Sequence, residues 1–487
     1  MSNKENYSIK IYLHDLIKIN SRSKSLIFIS LSWLVICGSI GMIFDTHLLK
    51  VSNQLDILHY FNGLRIILSI LIIIIFVICN IFLFYKKKNY KHIFKFNIIN
   101  IYLLYFFSQL IGLIANFPEN FNFNNLYLLF LALGTLNFII FASKYKSGGS
   151  LKNLFYLFLF FLFLVNLYIL STRFNEILEL VIKGKSLYGI TDANELLFDQ
   201  AIPRVTGLSR SLAILNLFLI IGWFHFRDLF NWVGKNIYIL IILMIGLLIW
   251  SLNSRGTILC YFFGLSIYLF FILKDTFLSK IKYLILFTMV PILFFYSAVN
   301  FNIINEDKNF LEGSRDKDKI FLEDSGDKYK IFLEGSRFTG NTNVNYSSGR
   351  LELWNYSINN YDNSKIFGYG SQGDRYLLNE KFSHYGNNVS NGPIYALLSG
   401  GYFGLFFFIL LYLRVIFNIT ITIFNPKLLR ENYIITCSVI FVCFFLLRST
   451  VENSFALFSV DFLIFIISNV LIEKFKKNKK LKINMFK

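Results

Sequence analysis

Long apolar runs separated by short polar connections dominate the chain. Most runs reach about 18 residues or more, which is the length that an α-helix needs to cross roughly 30 Å of hydrocarbon. This pattern predicts an all-α polytopic membrane protein with about twelve transmembrane helices and one large extracytoplasmic loop that contains short helices. The predicted spans are Ser25–Phe44, Leu64–Tyr85, Phe96–Phe117, Asn124–Ser143, Leu151–Ser171, Gly207–Phe226, Asn236–Leu252, Gly256–Leu273, Tyr283–Asn300, Ile394–Ile416, Tyr433–Leu447 and Phe455–Ile472.

The spans and their connections divide the chain into five predicted segments. The first apolar run follows a polar lead and has no small-residue cleavage pattern, so we expect it to act as the insertion signal and not as a cleaved signal peptide. The segments are a cytoplasmic amino terminus (1–24), helices 1 to 9 (25–300, including an extracytoplasmic loop at 172–206), the large loop (301–393), helices 10 to 12 (394–472) and a basic cytoplasmic tail (473–487).

Composition excludes a soluble globular enzyme. Hydrophobic residues make up 55% of the chain and charged residues only 16%, against roughly 25% charged in soluble domains. The five cysteines all lie inside apolar runs, so neither a disulfide framework nor zinc-ligand spacing is available. These cysteines therefore offer no metal site, and no cofactor is expected.

The formal charge of +19 follows membrane topology and does not indicate nucleic-acid binding. Lysine and arginine concentrate in alternate connections, such as KKKNYKHIFK after the second span and the carboxyl-terminal tail. Because cytoplasmic loops carry the excess of basic residues, both termini are predicted to be cytoplasmic. The long loop, with 11 basic and 13 acidic residues, then lies on the extracytoplasmic side of the membrane.

The first third of the large loop is an internal repeat. KNFLEGSRDKD from Lys308, KIFLEDSGDKY from Lys319 and KIFLEGSRFTG from Lys330 repeat with a period of eleven over 308–340. A ligand-binding array and a recent duplication both explain such a pattern. Units this short cannot each bury a core, which favours the duplication.

Four arginines lie at or near extracytoplasmic helix ends. An arginine beside hydrocarbon either snorkels to the headgroups or faces a hydrated cavity. Arg350 follows Ser347, Ser348 and Gly349, an N-cap signal, and precedes an amphipathic helical pattern formed by Leu351, Trp354 and Ile358. A helix amino terminus beside a guanidinium fork suits a phosphate or pyrophosphate. The four are Arg204, Arg210, Arg255 and Arg350.

The order of several motifs resembles the O-antigen ligase and polymerase superfamily. These motifs are RVTGL at Arg204, SRG at Ser254, SGR at Ser348 with Trp354, GYG at Gly368 and SNGPIYALLSGGYFG at Ser390. The resemblance covers roughly Ala201 to Leu405. The first five predicted spans match the family only in hydropathy.

The resemblance implies a membrane glycosyltransferase of lipopolysaccharide or surface-polysaccharide biosynthesis. It would take a glycan from undecaprenyl pyrophosphate and transfer it, without nucleotide sugar or metal, to an acceptor hydroxyl outside the cytoplasm. Arg204, Arg255 and Arg350 occupy the family's pyrophosphate-binding positions, and Arg210 is a further candidate. Permanently charged arginines also suit a diphosphate leaving group on chemical grounds. The implied partners are the lipid-linked oligosaccharide, the bilayer, a chain-length regulator and a flippase, but no nucleic acid.

The general base departs from the family pattern. The family's usual histidine and asparagine, ahead of the Gly-Gly helix, align with Ser390 and Asn391, so the histidine is missing. His384 lies six residues earlier and is the candidate base, although a lone loop histidine is more often simply solvated. Asp374 and Glu380 are weaker candidates.

Three functions remain open on the sequence. The departure from the histidine pattern favours a polymerase, which extends a lipid-linked repeat unit, over a ligase, which transfers the polymer to the lipid A core. A flippase for the lipid-linked repeat would also have about twelve spans. Flippases, however, concentrate charge at mid-membrane, whereas these arginines gather at one face.

Overall fold

The computed structural model describes residues 97–118, 123–144, 149–172, 206–252, 254–313, 350–378, 388–452 and 460–478, together with six residues between 67 and 74. These residues form helices and connections, with no strand among them. The helices are α1 (Ile98–Ala115), α2 (Phe123–Lys144), α3 (Gly149–Thr172), α4 (Thr206–Phe226), α5 (Trp232–Ser251), α6 (Arg255–Ile267, continued by a π-turn at Tyr268–Ile272), α7 (Phe277–Gly313), α8 (Arg350–Asn359), α9 (Gly373–Leu378), α10 (Gly392–Ile423), α11 (Pro426–Glu431), α12 (Tyr433–Arg448) and α13 (Val460–Asn478).

Within the described residues, seven helical segments are long and apolar enough to cross a membrane. Two shorter apolar stretches accompany them, in α2 and in α12. The prediction of an all-helical membrane protein is thus confirmed, while the count of about twelve spans stays a prediction. The first predicted span lies outside the described residues, as does most of the second. The seven segments are Ile98–Ala115, Leu151–Ser171, Leu208–Leu229, Trp232–Ser251, Arg255–Ile272, Phe277–Phe295 and Gly392–Ile423.

Asparagine side chains cap the amino termini of α1 and α10. Asn97 Oδ1 accepts a hydrogen bond from Asn100 N at 2.8 Å at the start of α1. Asn391 Oδ1 accepts one from Ile394 N at 3.0 Å at the start of α10, where Pro393 occupies the first turn. Both features are typical of helix amino termini, since they satisfy or remove orphan amide donors.

Helix α7 ends later than the sequence pattern predicts. The predicted span stops at Asn300 and the large loop begins at Phe301, but the helix continues to Gly313. Between these positions the sequence contains no proline or glycine, so nothing breaks the helix until Gly313 itself. The first residues of the repeat segment are therefore helical, while the rest of 308–340 lies outside the described residues.

A break in α10 holds the segment between α8 and α10 against the bundle. Gly401 has φ 64° and ψ −159°, a left-handed conformation that glycine tolerates and other residues do not. The carbonyls of Leu398 and Ser399, just before the break, accept hydrogen bonds from Tyr369 N at 2.8 Å and Gly370 N at 3.1 Å. The break thus gives these carbonyls partners outside α10 and joins the GYG motif to the helix.

Helix α1 packs against the opposite side of the same GYG segment. Asn116, at the end of α1, donates from Nδ2 to Gly368 O at 2.8 Å, and Lys365 Nζ donates to Asn116 Oδ1 at 2.6 Å. A Cβ on Gly112 would collide with the carbonyl oxygen of Phe367. The GYG motif is therefore a close-packing element between α1 and α10.

We expect Gly401→Ala to destabilise the protein. An alanine Cβ would collide with the Ile366 carbonyl, and the positive φ alone costs about 1–3 kcal/mol for a side chain. Thermal unfolding of the detergent-solubilised protein measures the effect. Gly264→Ala is the matched control, because its Cβ would meet Ile440 and Leu217 at an ordinary 3.4 Å. Equal unfolding temperatures for the two variants would contradict this account of the break.

Candidate functional site

Predicted site residues from distant parts of the chain meet at the turn that follows α12. We call residues 448–452 the 448–452 turn. Arg350 Nη1 donates to Val451 O at 2.9 Å, and Asn391 Nδ2 donates to Thr450 O at 2.9 Å. The backbone amide of Gly392 donates to Ser449 O at 2.8 Å. The start of α8 and the start of α10 are therefore both fixed to this turn.

Arg350 is the first residue of α8, where the sequence predicted it. Its guanidinium donates to Val451 O and, from Nη2, to Glu452 Oε1 at 3.2 Å. The side chain is 35% exposed and that of Glu452 is 22% exposed, so this ion pair lies at an accessible surface. The Arg350 fork thus faces a carboxylate at a position that a phosphate could also approach.

The buried face of α8 differs from the predicted one. Leu351 and Ile358 are more than half exposed, whereas Leu353 and Ser357 are buried. Trp354 explains the orientation, because its indole Nε1 donates to Val389 O at 2.8 Å. The helical spacing predicted the helix correctly, but the small outer core against which α8 packs determines which of its faces is buried. That core comprises Leu353, Tyr361, Tyr369, Leu378, Val389, Tyr395 and Leu398.

Arg255 begins α6 beside the same turn. Its side chain is exposed, and a Cβ placed on the next residue, Gly256, would lie 3.7 Å from Val451 Cγ2. Next to it opens a groove of about 350 Å³ between α5, α6 and α7. Apart from Arg255, nearly all of its lining is apolar, so a cation stands at the edge of an apolar groove. The lining includes Trp250, Leu259, Phe262, Met289 and Ile292.

Arg210 is held in a buried ion pair. Its Nε lies 2.7 Å from Asp461 Oδ1, and its Nη1 donates to Asp461 Oδ2 at 2.9 Å. Arg448, which begins the 448–452 turn, lies 3.2 Å from the same Oδ2. The Asp461 side chain is fully buried and that of Arg448 is 3% exposed. One carboxylate therefore compensates two arginines in a nearly water-free environment.

Among the residues that the structure describes around this turn, the arginines outnumber the acidic groups. A surplus of two positive charges remains if every group named below is ionised. Such a surplus beside a low-dielectric bundle attracts anions. The groups are Arg210, Arg255, Arg350 and Arg448 on the basic side and Asp461 and Glu452 on the acidic side.

The segment that precedes α10 is held at both backbone groups of Val389. Trp354 donates to its carbonyl, and its amide donates to Asp374 Oδ2 at 3.2 Å. Ser390, the next residue, has φ 48°, and its amide donates to Asn388 Oδ1 at 2.8 Å. This arrangement fixes the positions that align with the family's histidine and asparagine.

Asp374 is a buried carboxyl behind this segment. Its side chain is 1% exposed, and its Oδ1 has no hydrogen-bond partner. Burial raises its pKa from the ordinary value of 3.8 to about 6, against the opposing effects of Arg375 and of the hydrogen bond from Val389. Asp374 therefore positions the segment and has no access to a substrate.

Sequence reasoning missed Arg448, Glu452 and Asp461. Arg448 and Glu452 lie in the last short connection between predicted spans, and Asp461 lies within the last predicted span. A charged residue within an apolar helix was the available signal, because such residues are costly and mark functional sites. Three predicted candidates, Arg204, Glu380 and His384, lie outside the described residues. Within the part of the chain that the structure covers, no group of three or more His, Cys, Asp or Glu side chains could hold a metal ion.

Residues 239–409 match the family model described as O-antigen ligase. The matched segment is roughly a third of the 487-residue chain and contains Arg255, Arg350, Ser390 and Asn391. It confirms the resemblance to the O-antigen ligase and polymerase superfamily, whose members are membrane glycosyltransferase-like enzymes. Arg210 and the 448–452 turn lie outside the match. No curated protein gives a significant match to the chain.

We expect Asp374→Asn to remove a pH dependence of stability. Because the pKa is raised in the folded state, protonated Asp374 contributes stability fully below about pH 4, and this contribution is lost as the pH rises through about 6. At about 1.4 kcal/mol per pKa unit, the loss is about 3 kcal/mol. An amide cannot ionise, and its oxygen can still accept the Val389 hydrogen bond.

Unfolding temperatures of the two proteins between pH 4 and pH 8 measure this difference. Asp362→Asn is the control, because that carboxylate is exposed and its pKa is lowered, chiefly by its hydrogen bonds with Ser364. A wild type that loses no more stability than Asp374→Asn across this range would refute the assignment.

Proposed function

We propose that the chain is a surface-polysaccharide polymerase of the O-antigen type. It transfers a growing glycan from undecaprenyl pyrophosphate to a lipid-linked repeat unit on the extracytoplasmic face of the bacterial inner membrane. The observation that carries this proposal is the meeting of Arg350, Asn391 and the start of α6 at the 448–452 turn. Arg350, Asn391 and the start of α6 all lie within the segment that matches the O-antigen ligase model, and the turn that joins them follows it.

An amphiphilic donor fits the surroundings of Arg255. The guanidinium suits a diphosphate, and the apolar groove beside it suits an isoprenoid chain. A soluble nucleotide sugar would gain nothing from a groove lined by Leu259, Phe262 and Met289. The pairing of a cation with an apolar groove therefore supports a lipid diphosphate as donor.

The arginines stabilise the charge that develops as the glycan leaves its carrier. In this step the acceptor oxygen bonds to the anomeric carbon, and the bond from that carbon to the diphosphate oxygen breaks. The departing diphosphate keeps the electron pair, which Arg255 and Arg350 stabilise by direct hydrogen bonds. The guanidinium groups of Arg210 and Arg448 are paired with Asp461, so these two arginines do not bind the diphosphate directly and only add positive potential from behind the site.

The acceptor enters from the side of α10. Ser390 and Asn391 lie at the start of that helix, and Asn391 is bonded to the same turn as Arg350. Arg204 as a further donor ligand and His384 as the base remain predictions from the sequence.

Two other functions share parts of this description. A ligase uses the same donor chemistry, and the matched family model supports a ligase and a polymerase equally. A flippase shares the lipid-linked substrate but forms no glycosidic bond. The three differ in what a cell accumulates when the protein is removed.

Gel profiles of surface glycolipids from a host strain that lacks this chain separate the three functions. A polymerase deficiency leaves core with a single repeat unit, and wild type restores the ladder. Core without any repeat, with lipid-linked polymer outside the membrane, identifies a ligase. Repeat units trapped on the cytoplasmic side identify a flippase and refute the proposed enzyme.

We expect Arg350→Lys to reduce polymer formation about tenfold to 100-fold. An ammonium group cannot replace the two-pronged guanidinium fork, and a hydrogen bond to a charged group contributes about 1.5–3 kcal/mol. The initial rate of polymer formation in membranes of the complemented strain measures the loss. Arg227→Lys is the matched control. Arg227 directly follows the carboxyl end of α4, whereas Arg210 lies near the amino end, and the Arg227 side chain is 41% exposed. Near-normal polymer from Arg350→Lys would exclude a donor-binding role.

A further inference from the structure

The proposed transfer needs a group that accepts the proton of the acceptor hydroxyl. The position of the family's histidine carries Ser390, whose hydroxyl is not a base at neutral pH. Asp374 is a carboxyl nearby, but at 1% exposure it cannot contact a substrate. Asp461, which pairs with Arg448 at the start of the turn, is another carboxyl among the described residues, but it is fully buried as well. Glu452 differs from both, because its carboxylate is 22% exposed.

Glu452 also pairs with Arg350, the arginine that the donor requires. Its Oε1 lies 3.2 Å from Arg350 Nη2, and it interacts electrostatically with Arg210. A diphosphate oxygen is a stronger match for a guanidinium fork than one carboxylate oxygen in this partly exposed pair. Binding of the donor to Arg350 would therefore displace the Glu452 side chain from it.

We propose that Glu452, and not the His384 predicted from the sequence, is the general base of the transfer, and that the donor diphosphate frees Glu452 by taking its place on Arg350. This inference rests on the proposed function. It places the base on the turn that binds both the donor-side Arg350 and the acceptor-side Asn391. Activation of the acceptor then depends on a bound donor, because the diphosphate has to take Arg350 before the Glu452 carboxylate can turn to the acceptor hydroxyl.

The step balances with the groups named. The acceptor hydroxyl gives its proton to the Glu452 carboxylate while its oxygen bonds to the anomeric carbon. The carbon–oxygen bond to the carrier diphosphate breaks, and the electron pair goes to the diphosphate oxygen. The protonated Glu452 returns its proton to water when the lipid diphosphate leaves, and the carboxylate then pairs with Arg350 again.

Glu452→Gln tests the base with little structural change. The amide oxygen can still accept a hydrogen bond from Arg350, but the side chain cannot take up a proton. With full-length protein in nanodiscs and lipid-linked repeat units from the host, we expect the transfer rate to fall about 100-fold or more. Binding of undecaprenyl diphosphate alone is expected to be unchanged or tighter, because no carboxylate competes for Arg350. Glu452→Asp, which keeps a carboxylate, is expected to recover part of the rate.

Glu352→Gln is the matched control, because this exposed glutamate lies two residues from Arg350 on the same helix. A Glu452→Gln rate within about threefold of that control would overturn the proposal. So would a lower rate accompanied by weaker lipid binding and no recovery in Glu452→Asp, since that combination indicates a structural role. A wild type that binds undecaprenyl diphosphate but forms no glycan refutes the proposed function itself, which separates the two failures.

Discussion

The Asp461 carboxylate, shared by Arg210 and Arg448, is the interaction on which the geometry of this end of the bundle depends. The side chains of Asp461 and Arg448 are almost free of water contact and that of Arg210 is 14% exposed, so an unpaired charge among them would cost several kcal/mol. The carboxylate therefore connects α4, α12 and α13 at fixed distances. Because Arg448 opens the 448–452 turn, the position of that turn follows from the ion pair. Arg350 and Asn391 in turn take their positions from the carbonyls of the turn.

A second constraint acts on the backbone. A helix that breaks at Gly401 leaves carbonyls without their helical partners, and buried carbonyls need other donors. Tyr369 and Gly370 supply these donors, so the break and the inserted segment require each other. This segment carries Asp374 to the back of Val389. The ion pair thus fixes one side of the candidate site and the helix break fixes the other.

Local patterns predicted the elements better than the contacts between them. The apolar runs predicted the helices, and the serine and glycine residues before Arg350 predicted where α8 begins. Only part of the predicted apolar face of α8 is buried: Trp354 packs against the outer core, whereas Leu351 and Ile358 are exposed. The outer core, assembled from distant residues, buries Leu353 and Ser357 instead. The partners of Arg210 and Arg350 lie 251 and 102 residues away along the chain. No period or motif links such positions, so their pairing follows only from the three-dimensional packing.

The two carboxylates at this site compensate the arginines in different ways. Asp461 is enclosed, accepts hydrogen bonds from two guanidinium groups and cannot be exchanged without unfolding its surroundings. Glu452 contacts one partly exposed arginine, where solvent weakens the attraction and a stronger anion can replace it. A site that must bind and then release a lipid diphosphate needs both kinds. Asp461 keeps Arg210 and Arg448 neutralised inside the bundle. Glu452 keeps Arg350 paired until the donor arrives. The donor then displaces the Glu452 carboxylate, which becomes available to the acceptor.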